Sequence, residues 1–253
     1  MAVLTTKIDF WGKWSAERLK LKSEEVGSRE FDRGWRQRAL TDSETVFKEE
    51  FIKKCLDEHE EIYFPDSLSS LSAILRPREE FYMGVDLAIA GSKSRGDYFV
   101  ITVVGVNPER TKKRIVSIFR ERGLTFHNQL LVAERWADYF KVKLIVVENN
   151  AYQDAFHQEL KRTTFLPIQP FTTTALNKND LETGLPRLAV DFEKGLWTIP
   201  YKGGNTRELC GALVNELSVY PIGKHDDMIM SLWFAARAAA WNANKVEKRI
   251  FVV

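Results

Sequence analysis

Apolar residues recur along this chain with two different periods, and the change from one to the other divides it. Up to about residue 79 the sequence is polar, charged and poor in β-branched residues, with its apolar side chains spaced for helices. Ser15 to Val26 sets Ala16, Leu19, Leu21 and Val26 among charges. Phe31 to Leu40 adds Trp35 and the basic run Arg33, Arg36 and Arg38. Thr41-Asp42-Ser43 is a cap signal ahead of Val46, Phe47, Phe51, Ile52, Cys55 and Leu56, which share one helical face. The Ser- and Leu-rich stretch between Pro65 and Pro77 reads as a connector. Residues 1–79 are thus expected to form a helical linker or extension.

From Phe81 the texture changes to α/β. Phe81–Ala88, Tyr98–Val106 and Arg114–Phe119 are apolar, β-branched runs separated by Gly91–Gly96 and by the turn Asn107-Pro108-Glu109. They predict a three-stranded antiparallel meander. A helix over Asn128–Phe140 follows, then Lys143–Val147, a continuous apolar run of the kind buried on both faces of a sheet. Further on come a helix over Ala151–Leu160, a strand near Leu166–Phe171, a polar loop Thr172–Thr183, and a short helix Pro186–Glu193 stopped by Gly195. Trp197–Pro200 is a small strand. Arg207–Leu217 and Asp226–Trp241 are helices. The expected fold over residues 80–253 is a mixed sheet, three antiparallel strands and then parallel ones, flanked by helices. Trp136, Phe140, Trp233 and Phe234 sit at helical spacing and read as core.

Composition narrows the picture little. With 37 basic and 35 acidic residues the net charge is +2, so any footprint for a polyanion must come from local clustering of Lys and Arg. The two cysteines, Cys55 and Cys210, lack metal-ligand spacing and read as buried thiols. His59, His127, His157 and His225 share no zinc spacing. The amino terminus lacks the apolar stretch of a signal peptide, and Tyr98–Val106 is too short to span a bilayer. A soluble, cytosolic protein without a membrane segment is expected.

Candidate chemistry lies in four carboxylates. Asp86 interrupts an apolar strand, Gly84-Val85-Asp86-Leu87-Ala88, where a lone buried carboxylate is costly unless paired, protonated or bound to a cation. An exposed position on a polar strand face would suit it equally. Glu148 ends the buried run Leu144–Val147, at the carboxyl end of a strand, where open α/β sheets gather ligands. It would also serve as a plain turn residue. Asp226-Asp227 opens the last helix; capping explains one aspartate well and two in succession less well. With the first meander strand central, the fourth parallel beside it and the last helix across the sheet, all four converge at one end. Carboxylates brought together cannot all stay ionised without cations. Mg²⁺ or Mn²⁺ suits such oxygen donors, and two ions about 3.5–4 Å apart support phosphodiester hydrolysis.

The series Gly84-Val85-Asp86-Leu87-Ala88, Val146-Val147-Glu148-Asn149-Asn150 and His225-Asp226-Asp227-Met228 resembles the acidic motifs of large-terminase nuclease domains of tailed phages, members of the ribonuclease H-like superfamily. Leu185–Ala189, Phe192–Leu196 and Ile199-Pro200 are similar as well, so the resemblance covers about Glu80 to Ala240. The earlier Gly34-Trp35-Arg36-Gln37-Arg38 resembles the region that links a terminase's ATPase to its nuclease. The resemblance implies a ribonuclease H-like fold and a two-metal endonuclease that cuts concatemeric viral DNA during packaging, in the host cell cytoplasm. Asp86, Glu148, Asp226 and Asp227 would be its catalytic metal ligands, with the choice of direct ligand between Asp226 and Asp227 left open. Asp97 and His225 are accessory candidates, and Lys93, Arg95, Lys178 and Arg187 candidate DNA contacts. Expected partners are double-stranded DNA, an ATPase domain of the same terminase, the portal and the small terminase subunit. No phosphate-binding G-x-x-x-x-G-K-[ST] loop occurs, so the chain reads as the carboxyl-terminal part of a longer terminase or a separately encoded nuclease. A non-catalytic DNA-gripping module and another ribonuclease H-like enzyme, such as a junction resolvase, are the competing functions.

Overall fold

The computed structural model describes residues 15–27, 45–65, 76–88, 98–148, 159 and 166–250. It divides into two units, Met1–Glu44 and Thr45–Val253. In the first, helix α1 (Ala16–Val26) starts at Ser15, whose hydroxyl accepts from the Arg18 backbone N–H. The helix expected over Phe31–Leu40 lies outside the described residues.

The division falls at 44/45, whereas the hydrophobic pattern placed a boundary at 79/80. Residues after Thr45 join the sheet unit. Helix α2 spans only Glu49–Lys54 and is followed by a two-residue strand, β1 (Leu56–Asp57). Phe47, Ile52 and Cys55 are buried, Phe47 edge-on to Phe192 at 5.8 Å. The apolar spacing showed a face needing cover; it carried no information about what covers it.

Strands β2 (Glu80–Asp86), β3 (Phe99–Val106) and β4 (Lys113–Glu121) form the expected antiparallel meander. Helix α3 (Phe126–Phe140) leads to β5 (Leu144–Glu148), which pairs in parallel with β2, and β6 (Ile168–Phe171) pairs in parallel with β5. Next come α4 (Ala175–Lys178), α5 (Leu185–Glu193), β7 (Trp197–Pro200), α6 (Asn205–Val219) and α7 (Asp227–Ile250). The sheet among the described residues has seven strands in the order β1-β7-β4-β3-β2-β5-β6. Its central strands are apolar on both sides because helices cover both faces. Tyr82, Val100 and Val104 face α5, α6 and α7; Phe81, Met83 and Val85 face α3, where Trp136 donates to the Ser117 hydroxyl at 2.9 Å. Two elements were not foreseen: β1, and α4 within the polar loop. The helix expected over Ala151–Leu160 lies outside the described residues. Cys55 and Cys210 are buried free thiols.

Candidate active site

A close approach of helix to sheet sets up the site. Gly84 lies beneath α7, where a Cβ would overlap the carbonyl oxygen of Ser231. The Ser231 hydroxyl donates to Gly84 O at 2.9 Å and lies 3.0 Å from Thr102 Oγ1. Gly84 is two residues before Asp86, and Ser231 is one helical turn after Asp227. The contact that docks α7 therefore also delivers Asp227 to the end of β2.

Asp86 and Glu148 are the last residues of adjacent parallel strands, so they emerge side by side. Asp86 is buried, and its carboxyl is held well above the usual carboxylate range. Burial is the largest cause, followed by the negative charges of Glu148, Asp227 and Asp226 and by a hydrogen bond with Glu148. This favours a proton on Asp86. Asp227, also buried, takes a long contact from the Tyr98 backbone N–H at 3.5 Å and faces His225 Nδ1 at 3.5 Å.

Asp226 is less buried, and Lys178 Nζ lies 2.7 Å from its Oδ2. Lys178 ends α4, a four-residue helix closed by reciprocal bonds between Thr174 and Asn177. Among the described residues no three His, Cys, Asp or Glu side chains form a ready cage for an ion. The carboxylates nonetheless feel one another, as the raised Asp86 shows. Lys178 holds Asp226, and Asp86 is hydrogen-bonded with Glu148. All four are hard oxygen donors, a set that fits Mg²⁺ or Mn²⁺.

The other candidates fall differently. Lys93, Arg95 and Asp97 lie outside the described residues. Arg187 is paired with Asp191 in its own helix at 3.4 Å. Asp191 also takes Lys113 at 2.9 Å, at the opening of β4 and so at the end of that strand remote from Arg120.

One contributor escaped the sequence reading. Glu216 of α6 is buried, accepts from the Met228 backbone N–H at 3.0 Å, and takes Arg120 at 3.2 Å. Its carboxyl thus caps the first turn of α7 beside Asp227. Burial, chiefly, raises its pKa to about 7, with the Asp227 charge adding to the rise and Met228 and Arg120 opposing it. The available signal was a glutamate on the same helical face as Leu213 and Leu217.

The terminase RNaseH-like domain family matches residues 83–236, a stretch that contains all four carboxylates. The fold is that of terminase nuclease domains. The large terminase nuclease from thermophilic phage G20c, solved with bound magnesium, is 18% identical with a TM-score of 0.55, over 78% of this chain and 98% of that one. The HK97 bacteriophage large terminase is 11% identical with a TM-score of 0.50, over 90% of this chain and 51% of that one. No curated protein sequence matches. Since the matched residues make up more than half of its length, the chain belongs to the terminase RNaseH-like domain family.

Proposed function

We propose that this chain is a metal-dependent endonuclease that cuts concatemeric viral DNA during genome packaging. The observation that carries this reading is Asp86. A buried carboxyl, pushed towards its protonated form by three neighbouring carboxylates, is an expensive element that a divalent cation would turn into a favourable one. Asp86, Glu148 and one or both of Asp226 and Asp227 would hold the metal, with Mg²⁺ or Mn²⁺ as the ion and two ions as the full complement. The magnesium bound by the G20c nuclease supports that choice. Bound there, the ions supply Lewis acidity and a more acidic water for in-line displacement at a phosphodiester.

The protein's own residues have separate tasks. Asp86, beside Glu148 at the strand ends and within the influence of the Asp226 and Asp227 charges, would be the central ligand of the bound metal. Lys178 keeps Asp226 neutralised in the metal-free chain and, once released, is placed to meet a DNA phosphate. Of the other expected DNA contacts, Lys93 and Arg95 precede β3 in the sequence, and Arg187 would have to leave Asp191 to take part. Asp97 and His225 remain accessory to the carboxylates. The reading implies double-stranded DNA as substrate, an ATPase domain of the same terminase, the portal and the small terminase subunit as partners, and the host cytoplasm as the place of action. It also treats residues 1–79 as the linker side of the chain and 80–253 as the nuclease side, with the part from Thr45 onward sharing the compact unit of the nuclease. No described helix is long and apolar enough to cross a membrane.

The test is nicking of supercoiled plasmid with Mn²⁺ or Mg²⁺. The chain is expected to nick, EDTA to stop it, and Asp86→Ala to abolish it while leaving the fold intact. Near-normal cutting by a folded Asp86→Ala protein overturns the assignment. Binding without cutting by the wild-type chain favours a DNA-gripping module, and strong preference for branched DNA favours a resolvase.

A further inference from the structure

The sheet face that carries Asp86 continues sideways into a pair of arginines. Asp86 is registered opposite Val100, and Val100 opposite Arg120. Asp86 and Arg120 are therefore two strand spacings apart, roughly 10 Å, with side chains on one face. Arg122 follows two residues later, just past the end of β4. The ring of Tyr98 lies between the two: the guanidinium carbon of Arg120 is 3.5 Å from its centroid and that of Arg122 is 3.8 Å. Approach that close by both requires opposite faces of the ring, since two guanidinium groups on one face would overlap.

The two charges are not compensated alike. Arg120 is paired with Glu216. Arg122 pairs with no carboxylate among the described residues; its polar contact is His225 Nε2 at 3.2 Å, and its Nε is buried without an acceptor. A guanidinium only donates, so His225 Nε2 accepts and the ring proton sits on Nδ1, the atom that faces Asp227. Arg122 is thus a stacked cation with spare donors in fixed geometry, joined through one imidazole to a carboxylate of the acidic cluster. Planar, preset donors of this kind match the oxygens of a phosphate.

We propose that Arg122, stacked on Tyr98 and braced from the far side by Arg120, holds a phosphate of the DNA strand being cut, adjacent to the phosphodiester at the carboxylates. This rests on the nuclease reading above. A second consequence follows from the His225 link: the phosphate contact and the orientation of Asp227 are mechanically joined, so loss of the guanidinium fork affects cutting even where the positive charge is kept.

The experiment measures duplex binding by the full chain in EDTA over a salt series, alongside plasmid nicking with Mn²⁺. Arg122→Gln is expected to flatten the slope of log affinity against log salt by about 0.9, one phosphate contact, whereas Lys53→Gln, at an exposed lysine paired with Glu49 within α2, leaves the slope alone. The same Arg122→Gln change is expected to reduce nicking about tenfold at an unchanged melting temperature. Arg122→Lys is expected to keep the slope and still nick poorly. A wild-type chain that nicks, with Arg122→Gln retaining the full slope, overturns this site alone. If Arg122→Gln melts early, full nicking by Arg122→Lys overturns it instead. A wild-type chain that neither binds nor nicks overturns the nuclease reading itself.

Discussion

The hydroxyl of Ser231 donates to the carbonyl oxygen of Gly84, 2.9 Å away, and this bond fixes the start of the last helix against the strand that ends in Asp86. The glycine is needed because the helix backbone occupies the space of its missing Cβ: Ser231 O and Ala235 N stand where the side chain would go. Position and chemistry are coupled at this crossing, since any outward shift of α7 carries Asp227 away from Asp86.

Gly84→Ala is accordingly expected to destabilise the chain by about 1–3 kcal/mol, the ordinary range for overpacking a core. Because backbone atoms cannot rotate aside, the upper part of that range is expected, together with loss of nicking. Thermal melts and plasmid assays on the purified variant check this. A Gly84→Ala protein with wild-type melting would show that the helix approaches less closely than described.

Asp86→Asn is expected to stabilise the metal-free chain, and to do so more at pH 8 than at pH 5. The sign follows from the raised pKa of Asp86. The folded state retains the proton longer than the unfolded one, so the favourable contribution is complete below the unfolded value near 3.8 and declines as pH rises through the folded value. The amide has no proton to lose and is spared that decline. Mn²⁺ is expected to reverse the ranking by stabilising only the wild type. Melts in EDTA and in Mn²⁺ across this pH range decide it; equal pH dependence in the two proteins would remove Asp86 from the acidic cluster.

Glu216→Gln addresses the carboxyl that caps α7. Its pKa of about 7 is above the ordinary glutamate value of 4.5, so the same sign applies: stability is lost between those two values as pH rises. Burial is the chief cause of the rise; of the groups facing the carboxyl, Asp227 adds to it, and the Met228 and Ile229 N–H groups and Arg120 oppose it. The glutamine still accepts from Met228, so the variant is expected to melt with a flatter pH dependence between pH 5 and pH 8 and to keep the helix start. A steeper dependence than wild type would contradict the assignment.

Lys178→Met tests the lysine on Asp226. A partly exposed ion pair is worth up to about 1 kcal/mol, so freeing Asp226 is expected to tighten Mn²⁺ binding in the DNA-free chain by roughly fivefold, read by calorimetry. Cutting is expected to fall even so, because the phosphate contact goes with the lysine. Unchanged metal affinity would place Asp226 outside the ligand set.

Much of this architecture is already present in local sequence. Alternation and β-branching mark β2 to β4, the continuous apolar run marks β5, and helical spacing marks α3, α6 and α7, because each period reflects which faces must leave water. The anomaly of Asp86 inside an apolar strand is legible for the same reason: a charge there conflicts with its surroundings. Other features depend on groups distant in sequence. Leu56–Asp57 becomes a strand only because β7 offers an edge, and its neighbours show merely an apolar face. Thr172–Thr183 reads as polar loop, yet Thr174 and Asn177 cap a short helix there that brings Lys178 to Asp226. Glu216 shares a helical face with Leu213 and Leu217, but its capping of α7 appears only once Met228 and Arg120 surround it. The Arg120–Tyr98–Arg122 stack likewise arises from strand register, which a single-residue slip would abolish. Periodicity states what each segment must bury; tertiary packing alone decides which partners bury it, and so which charges meet.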